Sequence, residues 1–581
     1  MSEHIYPKNI NGKIYYYIQT TYRKKIDDNK TKQKGPGSGK SKVVTESIYL
    51  GPANKIKKAM LESKNKCVEA NHHSFGMIAA AYQTAKVIGL IDILKKYIQG
   101  KRYGIPRYIF FLVAILNRTD KPSSKKKMGL WAKKTILPQL LNFNYKKLNS
   151  KTFWYVTNDI LNEKELQEAR RESEKTDDVF VDLDDSLLSK IESELFNNVK
   201  NIFNLNAEHF FYDTTNFFTY IQAKTPSCYA ETGHNKEGRH YLKQIGLAVA
   251  VESEYGIPFF HRVYRGNSHD SSTFFSVIND LLFQAKNSFG NIKNSSLVLD
   301  KGNNSEDNFN KLDNKINWIG SLVPGNYKNL LERPLEKYTH SWREQKYFSV
   351  KRKVMGHDCL LVMTYNSKLF RKRKHSLESG IEKCKKELRK KFNSYKRAPQ
   401  NTVPKGMLTI KDKHRHGKFL SMKVTKGTLS FFENEENIEK AKIKMGKNLL
   451  FTKNKKMKET EIIDLYKNKD IIEKGFHLLK DPEMIKQRPI RHWTDTKIRV
   501  YCFSCVCALL IVRVMNIITQ KANIEMSSAV LKEELQDLKW VQMIYENMQT
   551  EKIVSVKSSI QNKLFELFKL EEIENILTIQ T

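Results

Sequence analysis

Asp213 in HFFYDTTNFFTY, Asp300 in SSLVLDKGNNS and Glu473 in LYKNKDIIEKGFHLLK each follow or sit within an apolar segment. The chain around them has a formal net charge of +38, from 101 Lys and Arg against 63 Asp and Glu. Carboxylates that converge in so basic a protein suit a hard divalent cation, and the basic surface suits a polyanion. Together they point to phosphodiester chemistry on nucleic acid.

The segment around Glu473 is the most specific. At about 100° per residue, a helix places Tyr466, Lys469, Glu473 and Lys480 within a wedge of about 60° on one face. Leu465, Ile472, Phe476 and Leu479 form an adjacent apolar stripe that packs it down. One edge anchors, and the next presents an acid flanked by two lysines and a phenol. Taken alone, the pattern equally describes an amphipathic surface helix with ordinary salt bridges.

The frame that must position these groups is a multidomain α/β chain. Its 581 residues, 40% hydrophobic and 11% aromatic, suffice for several packed cores. Residues 1–53 read as a β-hairpin unit, KIYYYIQTTYR and VTESIYLG around a basic loop, KTKQKGPGSGKSK. Residues 54–205 turn helical, with a Pro-Ser-Ser start before Lys125, Lys126 and Lys127. This is the expected DNA-binding domain, although such a charge run also suits a solvated scaffold helix. Residues 206–325 predict the order β-β-β-α-β-α-β, which matches a ribonuclease-H-like catalytic core. Asp213 lies on its first strand and Asp300 ends its fourth. Residues 326–445 read as a mixed α/β insertion, 446–521 as the remaining core helices, and 522–581 as a helical tail.

The N-terminal MSEHIYPKNINGKIYYY has no continuous apolar stretch, so no secretory leader is expected. The apolar run VYCFSCVCALLIV falls short of the roughly 20 residues that span a bilayer and predicts a buried helix. Seven cysteines fit no disulfide framework, and Cys502-x-x-Cys505, lacking a second pair, reads as packed thiols. A soluble cytoplasmic protein without membrane partners is the expectation.

Taken in order, YDTTNFFTY, HNKEGRHYLKQIGLAV, GIPFFHRVYRGNSHDSS, LVLDKGNNS and YKNKDIIEKGFHLLK resemble the insertion-sequence transposases of the DDE class. The resemblance is to the branch marked by a tyrosine–arginine–glutamate–lysine signature. NRTDKPSSK and YYYIQTTYR…YLG upstream extend it from near residue 5 to about 515. It implies that Asp213, Asp300 and Glu473 are catalytic and bind two Mg²⁺ ions, with Mn²⁺ able to substitute. It further implies that Tyr466, Lys469 and Lys480 hold DNA phosphates beside them. The implied reaction has two steps: water frees a 3′-hydroxyl at a transposon end, and that hydroxyl attacks target DNA. Double-stranded DNA, a homodimer on the DNA and a prokaryotic, nucleoid-associated setting follow from the same resemblance. Lys469 stands where the family usually has arginine; lysine keeps the charge and loses the bidentate fork.

Two other readings fit these residues. One is a metal-dependent nuclease of the same fold that cuts without joining; the other is a non-catalytic DNA-binding protein derived from a transposase. An RNA-binding scaffold would need a recognition motif, and none is seen. Among lesser candidates, Asp270 in RGNSHD reads as a helix cap, Asn303 and Asn304 as turn residues, and Trp318 as core. Trp342, in HSWREQKYF, suits core packing and, equally, a DNA contact that stacks on an unpaired base. His72 and His73 read as surface residues.

Overall fold

A computed structural model describes residues 2–25, 41–63, 66–158, 160–161, 168, 171, 187–205, 208–222, 224–225, 227–233, 238–395, 397, 399–546 and 548–579. The chain divides into two compact units, the first formed mainly by Met1–Phe75 with Leu538–Lys557. In it, strands Ser2–Ile10, Lys13–Lys25 and Ser41–Pro52 make an antiparallel meander, one strand more than the expected hairpin. Tyr17 packs between Tyr6 and Tyr49, with ring centroids 5.8 and 5.2 Å away. The expected basic loop lies largely outside the described residues.

This unit also holds strands where helix was expected. Cys67–Ser74 pairs with Lys539–Tyr545, which pairs with Thr550–Val554. CVEANHHS lacks alternating apolar residues, and its partner lies far along the chain, so no local signal marks it. The 522–581 tail is therefore not wholly helical. His72 is exposed, whereas His73 is half-buried, its ring 5.5 Å from that of Trp540.

The second unit, Gly76–Asp537 with Ser558–Gln580, is built on a ten-stranded mixed sheet. It begins with an antiparallel meander of β1 (His209–Phe218), β2 (Lys243–Glu252) and β3 (Pro258–Arg265). Then come α1 (Asp270–Phe289), β4 (Ser296–Val298), α2 (Glu306–Leu312) and β5 (Asn317–Leu322). These follow the order read from the sequence, and β4 lies parallel between β1 and β5. At the β2–β3 turn, the Glu252 carboxylate accepts N–H bonds from Glu254, Tyr255 and Ile257 while Gly256 takes φ +71°. Gly246 on β2 is required by the Tyr264 ring on β3, since a Cβ there would lie 2.2 Å from it.

Beyond β5 the sheet is antiparallel. Strands β6 (His340–Trp342), β7 (Gln345–Val354), β8 (His357–Asn366) and β9 (Lys447–Thr452) complete the order β3-β2-β1-β4-β5-β9-β8-β7-β6, and Glu231–Thr232 adds a short strand on β2. Two expectations change here. β7 and β8 extend the central sheet instead of lying in a separate insertion. β9 is a strand where core helices were expected, because KNLLFT is too short for periodicity to separate strand from buried helix. The part with its own core starts at α3 (Ser367–Asn393) and continues through the helix Lys405–Lys413, a hairpin and the helix Glu435–Lys444. Leu377, Ile381, Cys384, Leu388, Met407 and Phe419 pack inside it. Its two ends meet, since the Asn366 N–H donates to the Gly446 carbonyl at 2.9 Å.

The helix predicted through Tyr466 and Lys480 is two helices, α4 (Glu459–Asn468) and α5 (Asp470–Lys480). At the break, the Ile472 N–H bonds to the Lys469 carbonyl at 3.1 Å, a tightened turn. Next comes α6 (Asp495–Lys521), which packs on α5, β3 and the helices Gly76–Val87, Arg107–Thr119 and Ser150–Asn158. It is long and apolar enough to cross a membrane, yet 83% of its apolar window is buried within the protein. Cys502 and Cys505 are fully buried in it, as packed thiols.

Candidate active site

Asp213 and Asp300 meet because β1 and β4 are parallel neighbours. Phe211 pairs with Val298, and each acid lies two residues further along its strand or the segment leaving it. Adjacent strands sit about 4.8 Å apart, and residues two apart share a face. The break between α4 and α5 then sets Lys469 among the acids. Its Nζ lies 3.8 Å from Asp213 Oδ2, 4.0 Å from Asp300 Oδ1 and 3.6 Å from Glu473 Oε1. Lys469 is buried, whereas the acids open progressively: the side chains are 17% exposed at Asp213, 39% at Asp300 and 59% at Glu473. Glu473 therefore has the most freedom to reorient.

Tyr466, on the last turns of α4, donates its hydroxyl to Asp300 Oδ1 at 3.2 Å. Burial, aided by the charges of Asp300 and Asp213, pushes its pKa up, so the phenol stays a neutral donor. Lys480 ends α5 away from this cluster, with its Nζ 5.6 Å from the centroid of Phe217 on β1. The structure thus brings Asp213, Asp300, Glu473, Lys469 and Tyr466 together and sets Lys480 four residues along β1 from Asp213.

A supporting layer lies beneath the acids. The Thr214 N–H donates to Asp213 Oδ1 at 2.8 Å, and its hydroxyl donates to Asp270 Oδ1 at 2.8 Å. Asp270 is the first residue of α1 and does not cap it; His269 holds the cap position without a side-chain bond. The other Asp270 oxygen would lie 2.9 Å from a Cβ at Gly302, so glycine lets the loop after Asp300 pass close. Buried Tyr264 bonds Thr214 in turn, and burial raises its pKa far up, keeping it protonated. Sequence reasoning missed this layer. The available signal was RGNSHD ending a strand at the edge where the acids emerge.

The other candidates lie elsewhere. Lys125, Lys126 and Lys127 form a single 3₁₀ turn; Lys125 is half-buried beside His492 Nδ1 at 3.4 Å, while the other two are exposed. Trp342 sits on the edge strand β6 at 37% exposure. Its neighbour Arg343 bonds Asp464 on α4 at 3.1 Å, which ties this turn to the helix bearing Tyr466. Trp318 is core, Asn303 is buried, and Asn304 Nδ2 donates to the Ser321 carbonyl at 2.9 Å.

Among the described residues, no three His, Cys, Asp or Glu side chains stand at metal-holding separation, and the three acids surround an ammonium instead. Their chemistry nevertheless fits a hard cation. The donors are carboxylate oxygens, already gathered about a positive charge, with a formal excess of negative charge around Lys469.

Comparison with known proteins follows the same segments. The family described as "Transposase DDE domain" matches residues 208–510. Among solved structures, the cryo-EM structure of a piggyBac transposase synaptic complex with hairpin DNA is similar at a TM-score of 0.38 and 8% identity. That likeness covers 80% of this chain and 81% of the other. No curated protein matches the sequence significantly.

Proposed function

The match spans more than half of the chain, so the protein belongs to the transposase DDE domain family, and from that premise we propose that it cleaves transposon ends and joins them to target DNA. The observation that carries this reading is the convergence of Asp213, Asp300 and Glu473 on one buried cation, Lys469. We read the β1-to-β5 order as ribonuclease-H-like and the α4–α5 residues as the tyrosine–arginine–glutamate–lysine branch, with lysine in the arginine position.

DDE transposases generally use divalent metals. In our reading Asp213, Asp300 and Glu473 would hold two Mg²⁺ ions, replaceable by Mn²⁺. When bound, such ions activate the attacking oxygen and stabilise the leaving one. The remaining work belongs to the chain. Thr214 and Asp270 fix Asp213, and Tyr466 orients Asp300 with a neutral hydroxyl. Lys469 holds the acids together against their mutual repulsion and is placed to meet phosphate charge as it develops. Lys480 meets the DNA backbone further along β1. In the first step water oxygen bonds to phosphorus, and the 3′-oxygen leaves with a proton. The products are a 3′-hydroxyl and a 5′-phosphate; the 3′-hydroxyl then displaces a 3′-oxygen in target DNA. Pairing two ends calls for a homodimer on double-stranded DNA, in a prokaryotic cytoplasm at the nucleoid.

The test is a cleavage and strand-transfer assay on the DNA flanking the native gene, with Mg²⁺ or EDTA, comparing wild type with Glu473→Gln. Metal-dependent nicks at the ends and joined products, both lost in the variant, are expected. Nicks without joined products would replace the reading with a nuclease, and binding without nicks with a DNA-binding protein.

A further inference from the structure

Resting on the cleavage proposed above, we propose that a pocket in the helical part of the second unit holds a 5′-phosphorylated DNA strand end, with phosphate among its cations and the terminal base on Trp493. The pocket, about 740 Å³, lies between the helix Arg107–Thr119, the Lys125–Lys127 turn and residues 486–493. Arg118, Lys125 and Arg491 line it, and no carboxylate does so among the described residues. Most buried lysines and arginines are met by an acid. Here Lys125 meets a neutral partner, His492, whose imidazole is held unprotonated chiefly by burial and then by Lys125 and Arg118. Burial brings the Lys125 ammonium down to about 8, so near neutral pH it remains a cation awaiting an anion.

The aromatic side selects the class of anion. Lys125 Nζ lies 5.7 and 5.8 Å from the ring centroids of Trp154 and Trp493, which sit 4.6 Å apart. Trp493 is 51% exposed at the pocket, a large ring offered to solvent. A cation cluster beside an exposed indole suits a phosphate attached to an unpaired base.

The route from the acids favours a strand end. Residues 486–493 follow α5 and pair with the end of β1: the Ile490 N–H donates to the Phe218 carbonyl at 3.1 Å, and the Tyr220 N–H to the Ile490 carbonyl at 3.2 Å. Asp213 lies five residues before Phe218, roughly 17 Å along the strand, a reach of a few nucleotides. Cleavage to a 3′-hydroxyl leaves a 5′-phosphate on the other fragment. A terminal monoester carries about −1.5 to −2 at neutral pH, against −1 for an internal diester, and so better answers a cluster of cations.

The experiment measures binding of the full-length protein, in EDTA, to single-stranded DNA 12-mers of one sequence bearing a 5′-phosphate or a 5′-hydroxyl. The 5′-phosphate should tighten binding about tenfold. Lys125→Gln should remove that preference, Trp493→Ala should weaken both oligonucleotides, and Arg491→Gln, an exposed change that tolerates folding, should reduce the preference. Equal affinity for the two ends would overturn the proposal. So would a preference that survives Lys125→Gln and Arg491→Gln together, or inorganic phosphate competing as well as the phosphorylated oligonucleotide. Because EDTA prevents cleavage, the two readings separate: nicking without end preference sinks only the pocket, and end preference without nicking sinks only the transposase.

Discussion

The acid cluster and the Lys125 pocket are linked through β1, and their charges are inverted. In the first, three carboxylates surround one ammonium, which leaves negative charge in excess. In the second, several cations gather with no carboxylate among the described residues lining the pocket, and Lys125 meets an unprotonated imidazole. A partly buried charge without its complement is costly to hold, so each region reads as one half of a pair whose other half arrives with the reaction. The acids are set for cations, the pocket for an anion, and a DNA strand brought in with metal supplies both.

The comparison breaks most sharply at the acids. Asp213→Asn should lower nicking by about a thousandfold or more, since a group made for the transition state is lost, while binding of DNA in EDTA stays near wild type. A variant that still nicks within tenfold of wild type would remove Asp213 from the chemistry.

Lys469→Met should lower nicking about a hundredfold and, more tellingly, raise the response of thermal stability to Mg²⁺. Without its ammonium the cluster has only added ions to relieve its repulsion. Lys469→Arg should restore most of the wild-type response, and an unchanged Mg²⁺ response in the Met variant would show that the lysine does not occupy the acids' common ground. Asp270→Asn acts one layer back. It keeps the shape and loses the charge that accepts from Thr214, so about a tenfold loss in nicking is expected, with little change in the melting temperature.

The smallest effect probes the pocket. Lys125 has a folded pKa of about 8, below the unfolded value near 10.4, so the unfolded chain binds more protons between those limits. The penalty is full below pH 8 and fades as pH rises through that window. Denaturation of wild type and Lys125→Met should therefore favour the variant at pH 7, and the gap should shrink at pH 9.5. A gap constant with pH would mean that Lys125 is not uncompensated.

Much of this was readable beforehand, for local reasons. Asp213 and Asp300 end or interrupt apolar runs that read as buried strands, and Ser305 caps α2 by accepting from the Asn308 N–H. The single face that helical spacing gave Tyr466, Lys469, Glu473 and Lys480 was legible only in part, since the helix breaks at Lys469 and Lys480 lies apart from the acids. What stayed hidden depends on partners distant in sequence. The break at Lys469 answers to acids on other elements, Asp270 acquires its role only when α1 lies beside β1, and Cys67–Ser74 becomes a strand only through Lys539–Tyr545. Lys125 looked like one of three equivalent surface lysines until residues 486–493 folded over it.

The closed ends of the segment between β8 and β9 have a consequence for how such a protein changes over generations. That segment leaves and re-enters through strands that already pair, Tyr365 opposite Lys447, and it carries a separate apolar interior. By this geometry a change of length within it need not shift the register of β1 or β4. Change is tolerated there, while β1, which bears Asp213, and the segment that leaves β4 with Asp300 have no such latitude.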